Sequence, residues 1–427
     1  MGSLEHISGE RLMARADALA RHSELEGGLT RVSLSPEYRA VTELVMGWMR
    51  EAGMAARLDA IGNVVGRYEG ERDGQPCPGL PCLMFGSHLD TVRDAGKYDG
   101  MLGVISAIEC VHALHATGAR PPFAIEVVGF VDEEGVRFGV TLLGSRAIAG
   151  TFDAKMLEAK DKGGMTLAEA LRAFGLDPAR VGEAARRRAD LHAYAELHIE
   201  QGPVLEAEGL PVGAVTAING YSRMAVTIDG TAGHAGTVPM NLRRDALAAA
   251  AECVLAVERI AAAEPEFVAT VGRLEALPGA INVIPGQVRF TIDARAPVDA
   301  KRLRAVAAIG AEFDAICKRR GLVLRNELTQ EMGVAACAPR LIERMERAIA
   351  AEGVRVRRLP SGAGHDGMAI QAVADIAMLF VRCAKGISHN PAEAITAADA
   401  ATGARVLLRF IEAFGPAVGL HDTHDKP

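Results

Sequence analysis

Four apolar runs in this chain each give way abruptly to acids or imidazoles, and that pattern restricts the fold more than any other feature. Leu83-Met84-Phe85 leads to His88, and Phe123 to Val131 (FAIEVVGFV) leads to Asp132-Glu133-Glu134. Ala193 to Ile199 (AYAELHI) delivers His198, Glu200 and Gln201, and Ala374 to Val381 precedes a polar loop, 386–393, that holds His389. Short, mostly apolar and β-branched runs of this kind read as buried strands. Helical patterns lie between them: Ser35 to Met54, with Ser35 as cap and Pro36 in the first turn, then Val104 to His115, Pro339 to Ala351 and Thr396 to Phe414. Strands alternating with helices predict an α/β layered domain, whose functional groups gather where strands end.

Around Asn219 the pattern changes. Arg223 to Asp229 alternates as a strand, Arg243 to Ala263 is an Ala-rich helix, and Phe267 to Glu275 and Gln287 to Ala296 are strands. A helix over Asp299 to Arg320 and a strand over Leu322 to Leu328 complete a βαββαβ order, that of a ferredoxin-like split unit. The expectation is therefore a discontinuous catalytic domain of residues 1–218 and 333–427, with 219–332 inserted as a second, α+β domain. Elsewhere, Ala56 to Tyr68 predicts a hairpin around Ile61-Gly62-Asn63, Thr151 to Arg188 a surface helix, and Val354 to Leu359 a strand.

Composition narrows the classes of function. A length of 427 residues suits two domains, and a formal net charge of −7 argues against a nucleic-acid partner. Seven scattered cysteines without a CxxC pair fit a reducing cytoplasm and no cysteine-type zinc site. Charges at Glu5, Glu10, Arg11 and Arg15 do not suit a signal peptide, and His6 spoils a myristoylation signal after Gly2. No charge-free apolar run is long enough to span a bilayer. The expectation is a cytoplasmic protein with no membrane partner.

Gly86 to Gly103 (GSHLDTVRDAGKYDGMLG) sets His88, Asp90 and Asp99 among glycine-rich turns directly after a buried strand. Taken singly, a histidine at such a place caps a helix or fills a polar core site. Taken with Glu133-Glu134, His198 and His389, all at strand ends, the set reads as metal ligands. Imidazoles mixed with carboxylates suit zinc, manganese, cobalt or nickel. Two such half-sites sharing a carboxylate make a two-metal centre, a common hydrolytic device. On the strand over 288–295, Arg289, Thr291, Asp293 and Arg295 share a polar face by period-two alternation. Arg295 there suits bidentate binding of a carboxylate, with a salt bridge to Asp293 as the competing reading.

GSHLDTV, YDGMLGV, DEEGVRF, ELHIEQGPVLE, GHAGTVP, INVIPG, SGAGHD and GISHNPAE occur in this order between about Gly28 and Phe414. Together they resemble the dinuclear metal-dependent amidases of the hydantoinase/carbamoylase group, within the aminoacylase and M20-type peptidase superfamily. The resemblance implies a mixed-sheet di-metal hydrolase domain with an inserted ferredoxin-like lid and dimerisation domain. It assigns His88 and His198 to one divalent ion and Glu134 and His389 to the other, with Asp99 bridging the two. The metals would be zinc or manganese, with cobalt or nickel also accepted. Asp90 would hydrogen-bond the far ring nitrogen of His88, and Glu133 would be the general base. His234 would reach the neighbouring active site of a homodimer and take a catalytic part there, helping to hold the tetrahedral oxyanion. Arg295 would bind a substrate carboxylate with Asn282 and Gln201 nearby, and Gly364 and His365 would lie close to the ligand. One departure is Gly367, where relatives more often have alanine; it removes no ligand. The implied activity is hydrolysis of a carbamoyl or ureido C–N bond in a small carboxylate. Allantoate is the first expectation, cleaved in purine catabolism with release of ammonia and CO2. The alternatives are an N-carbamoyl-L-amino acid hydrolase or β-ureidopropionase, then an M20 peptidase or N-acyl amino acid deacylase, then an inactive metal-binding relative.

Overall fold

The computed structural model describes residues 2–414. In chain order its main elements begin with α1 (Gly9–Ala20), α2 (Pro36–Glu51), β1 (Ala55–Leu58), β2 (Val64–Tyr68), β3 (Cys82–His88) and α3 (Met101–Ala116). They continue through β4 (Ala124–Phe130), α4 (Leu143–Ile148), α5 (Leu167–Ala173), β5 (Leu191–Ile199), β6 (Val212–Ile218), β7 (Gly220–Asp229), β8 (Gly233–His234) and α6 (Ala246–Ala263). Then come β9 (Val268–Leu277), β10 (Val283–Ile284), β11 (Gln287–Ala296), α7 (Asp299–Arg320), β12 (Val323–Met332), α8 (Pro339–Ala351), β13 (Ile376–Val381) and α9 (Ala397–Glu412). The described chain falls into two compact units, one of Ala217–Ala336 with Pro360–Ala363 and one of the remainder.

In the larger unit the strands lie in the order β1-β2-β4-β3-β5-β13-β6. The middle four run parallel, which brings their C-terminal ends to one side of the sheet. Strands β1, β2 and β6 flank them in antiparallel pairings. Every residue of β3, β4 and β13 is buried, as expected of a parallel sheet covered on both faces. Helix α3 packs on β3 and is itself covered by α1 and α9, so it is apolar nearly all round. Helix α2 is amphipathic: Ser35 Oγ accepts the Tyr38 N–H at 3.1 Å, and Val41, Val45 and Met49 point into the core.

Arg31, fully buried, ties this core to the loop after β3. Its Nε donates to the Leu89 carbonyl at 2.8 Å, and its Nη1 donates to the carbonyls of Leu19 (2.8 Å) and His22 (3.0 Å). Burial pulls its pKa down to about 10, against the opposing pull of Asp90. Buried carbonyls that lose a charged donor forfeit far more than an exposed ion pair is worth. Arg31→Met is expected to cost about 3 kcal/mol of stability, read as a lowered unfolding midpoint. An unchanged midpoint would show that water replaces the guanidinium.

The smaller unit holds a four-stranded antiparallel sheet in the order β9-β11-β7-β12, with the elements arranged β-α-β-β-α-β along the chain. Helices α6 and α7 cover one face, burying Val226, Ile228, Val288, Phe290, Ile292 and Phe313. Strand β11 alternates as its sequence demands: Val288, Phe290, Ile292 and Ala294 are buried, while Arg289 and Thr291 are exposed.

Two expectations need correction. Residues 151–188 form no single helix but 3-10 turns at Ala154–Glu158 and Pro178–Ala184 around the seven-residue α5. Glycines at 163, 164, 175 and 182 and Pro178 interrupt any longer ladder. The strand expected at 354–359 begins only at Arg358 and runs to Ser361. No helix among the described residues is long and apolar enough to cross a membrane.

Candidate metal centre

The centre is built by strand ends. His88 closes β3, His198 is the next-to-last residue of β5, Glu133 and Glu134 follow β4, and His389 sits in the loop between β13 and α9. Asp99 stands two residues before α3, and Gly100 between them has φ +73°. A Cβ at Gly100 would also lie 2.5 Å from the His88 ring, so only glycine lets the turn approach that imidazole.

Asp99 is the hub. Its Oδ1 lies 3.2 Å from His198 Nε2 and 3.7 Å from His88 Nε2, while its Oδ2 lies 3.0 Å from His389 Nε2. Glu134 Oε1 is 3.5 Å from that same His389 nitrogen. Donor atoms of His88, Asp99 and His198 all fall within 4.8 Å of one another, and so do those of Asp99, Glu134 and His389. The far ring nitrogens are occupied: His88 Nδ1 meets the Asp90 carbonyl at 2.9 Å and His198 Nδ1 the Ile199 carbonyl at 3.0 Å. A carbonyl only accepts, so the Nδ1 atoms carry protons and the Nε2 lone pairs face the cluster. The Gly100 N–H, 3.2 Å from His198 Nε2, agrees with an acceptor there.

Electrostatics make the cluster a place for positive charge. Burial alone would raise Asp99, yet its interactions with the His198, His389 and His88 imidazoles hold its carboxyl well below the usual range. Burial opposes charge on His88, but Asp99, Glu133 and Asp90 raise its pKa well above the ordinary imidazole value. Burial also drives Glu133 well above the usual carboxylate range, and Glu134 up to about 7. Convergent imidazole and carboxylate donors, several of them buried, are the ligand chemistry of a borderline divalent ion, so the residues present fit such a cofactor.

Asp90 departs from its expected part. Its carboxylate stands 3.9 Å from His88 Nδ1 and instead accepts the N–H groups of Glu133 (3.1 Å) and Glu134 (3.2 Å). The chain's own carbonyl at Asp90 is nearer and takes the imidazole proton, which frees the side chain to shape the 132–134 turn. Gln201 donates through Nε2 to Asp99 Oδ1 at 3.2 Å, so its amide meets the hub carboxylate. Gly364 comes close enough that a Cβ there would lie 3.9 Å from Glu133 Oε1. His365 is buried edge-on to His198, with ring centroids 4.5 Å apart; burial and then His198 hold its pKa well below the ordinary value.

His234, Asn282 and Arg295 belong to the smaller unit. The β8–β10 ladder pairs His234 with Val283, and the Ala235 N–H donates to the Asn282 carbonyl at 2.9 Å, so these two residues are neighbours. The Arg295 fork is engaged by Asp293, Nε to Oδ1 at 2.7 Å and Nη2 to Oδ2 at 2.9 Å, and Nη1 donates to the Gly362 carbonyl at 2.8 Å. The salt bridge that competed with a carboxylate-binding role is thus formed. Arg223 Nε shares the same acid at 2.9 Å.

Sequence reasoning missed Glu196. It is fully buried, accepts from Ser87 Oγ and Tyr194 OH at 2.9 Å each, and groups with His198 and His365. The signal was available: an acid inside an apolar strand, two residues before His198 and hence on its face.

The profile of peptidase family M20/M25/M40 matches residues 84–413. An N-carbamoyl-L-amino acid amidohydrolase of Geobacillus stearothermophilus is 44% identical over 406 residues, covering 95% of this chain and 98% of that protein. A probable allantoate deiminase of Oryza sativa subsp. japonica is 39% identical, covering 96% and 89%. The crystal structure of an amidase of the hydantoinase/carbamoylase family from Burkholderia multivorans superimposes with a TM-score of 0.88 at 36% identity, covering 95% and 98%.

Proposed function

The chain belongs to the M20/M25/M40 peptidase family, as a hydrolase of the hydantoinase/carbamoylase type acting on non-peptide C–N bonds, and we propose that it hydrolyses N-carbamoyl-L-amino acids. What carries the chemistry is one carboxylate, Asp99, shared between His88 with His198 and His389 with Glu134, with Glu133 beside them. The substrate is chosen by likeness: the carbamoyl amino acid relative, at 44% identity, stands above the allantoate relative at 39%. This reverses the order in which the sequence motifs rank the two, and allantoate becomes the second reading.

His88, Asp99, His198, Glu134 and His389 would hold two divalent ions. When bound, such ions polarise a carbonyl and lower the pKa of a water. Glu133 takes the proton of the attacking water on its carboxylate and returns it to the departing nitrogen. Asp90 holds the Glu133 and Glu134 backbone, and the Asp90 and Ile199 carbonyls hold the imidazoles in the tautomer the site needs. Water adds to the ureido carbon and the C–N bonds break, giving the amino acid, ammonia and CO2. Arg295, Asn282 and His234 are proposed to recognise the substrate, the guanidinium serving its carboxylate through the second hydrogens of Nη1 and Nη2, which Gly362 and Asp293 do not take. The smaller unit is proposed to be the dimerisation and lid element of a homodimer.

The deciding experiment sets cation-loaded protein against N-carbamoyl-L-amino acids, β-ureidopropionate and allantoate. The expected result is the highest kcat/KM on a carbamoyl-L-amino acid, with none after chelation. A preference for allantoate would transfer the assignment to the second reading.

A further inference from the structure

Glu393 has no part in the ligand set, yet its buried carboxylate joins the two chain segments that carry Asp99 and His389. One oxygen accepts the N–H groups of Tyr98 (2.8 Å) and Asp99 (3.2 Å); the other accepts Ser388 Oγ at 2.9 Å, immediately before His389. Gln201 completes a ring, donating to Ser388 Oγ at 3.1 Å and to Asp99 Oδ1 at 3.2 Å. The chain also makes room for this acid. A Cβ at Gly96 would lie 2.3 Å from Cβ, Cδ and Oε1 of Glu393, although Gly96 has no positive φ that would otherwise call for glycine.

Burying a second carboxylate beside Asp99 is unfavourable in itself, and a simple space-filler would be apolar. The acid is held because its two oxygens satisfy three donors from one side chain. We propose that Glu393 is a positioning residue for the cation centre, clamping the Asp99 backbone to the His389 loop so that the shared carboxylate meets both half-sites. The assignment rests on the two-cation reading of the centre. Because the clamp works through geometry, glutamine can replace it: its Oε1 accepts the two N–H groups and its Nε2 donates to Ser388 Oγ, which turns its own hydrogen toward Asp99 Oδ2, 3.4 Å away.

The test titrates metal-free full-length protein with Co(II), reading affinity by competition with a chromophoric chelator and coordination by the visible absorption bands, with near-UV circular dichroism as the check on folding. Loss of a group that orients a ligand costs about 10- to 100-fold in affinity. Glu393→Ala should show that loss with altered bands. Gly96→Ala, which displaces the acid, should also weaken binding, and Glu393→Gln should stay within about threefold of wild type. A folded Glu393→Ala protein with wild-type affinity and bands overturns the proposal. Should that variant fail to fold, Ser388→Ala and Gly96→Ala decide: weakened binding in either supports the clamp, and wild-type binding in both overturns it. Wild-type protein that takes up no Co(II) would overturn the two-cation reading together with the clamp, whereas wild type binding normally beside equally competent variants overturns the clamp alone.

Discussion

Glu133→Gln is expected to keep the cation content of the wild type and to lose about 10²- to 10⁴-fold in kcat, the usual worth of a positioned general base. The substitution preserves shape and removes only the capacity to take a proton. Glu133 is nearly buried, held by its backbone N–H on Asp90, and grouped with His88 and Glu134. Burial first, and Glu134 next, raise its pKa, while His88 draws it down. A base must be unprotonated to act, so wild-type turnover should fall as pH drops through the Glu133 pKa, and the variant should lack that limb. Metal analysis alongside kcat over pH 5–9 separates the outcomes. Turnover that survives the change would remove Glu133 from the reaction, and a wild type with no turnover on any ureido carboxylate would favour an inactive relative.

The sheet was legible because burial on both faces leaves a mark in composition. Leu83 to Phe85, Phe123 to Val131 and Ala374 to Val381 are mostly apolar without alternation, interrupted by Glu126 and Asp375, and they became β3, β4 and β13. Strand β11 and helix α7 were readable to the residue, because β11 alternates cleanly and α7 ends on Gly321 in the left-handed region. Helix α1 and strand β6 escaped. Helix α1 carries only a short apolar stripe between charged residues, and β6 (VGAVTAI) has too few large side chains to announce itself. The 151–188 stretch misled in the other direction: its Lys, Glu and Ala favour helix, but its glycines break every turn after the first few.

For the site, strand ends located the donors, whereas hydrogen-bond partners could not be read. Asp90, two residues beyond His88, invites a side-chain contact with the imidazole; only coordinates reveal that its carbonyl is closer and its carboxylate turns to the Glu133 and Glu134 amides. Glu196 was legible in principle, since an acid within a buried strand must find donors, and Ser87 and Tyr194 supply them. Arg295 was placed on the right face of β11, but its pairing with Asp293 depends on side-chain torsions that period-two alternation leaves open.

Asp99→Ala is expected to have the widest effect of any single change at the centre: loss of both cations at concentrations that saturate wild type, and a kcat about 10³-fold lower or less. That figure follows from several kcal/mol of transition-state stabilisation, at 1.36 kcal/mol per tenfold. The reason is topological. Three imidazoles present Nε2 to one carboxylate, and without it the His88–His198 pair and the His389–Glu134 pair lose the one acid that meets both. His389, half-exposed, would be a terminal ligand in the same geometry. His389→Ala should therefore cost one cation and spare the other, held by His88, His198 and the retained Asp99. Cation stoichiometry of the two variants, measured on protein dialysed against buffered Zn(II), separates a bridge from a terminal ligand. Equal losses in the two would mean that occupancy of one half-site requires the other. Asp99→Ala protein retaining one tightly held cation would mean that the carboxylate serves a single ion and that the second half-site closes without it.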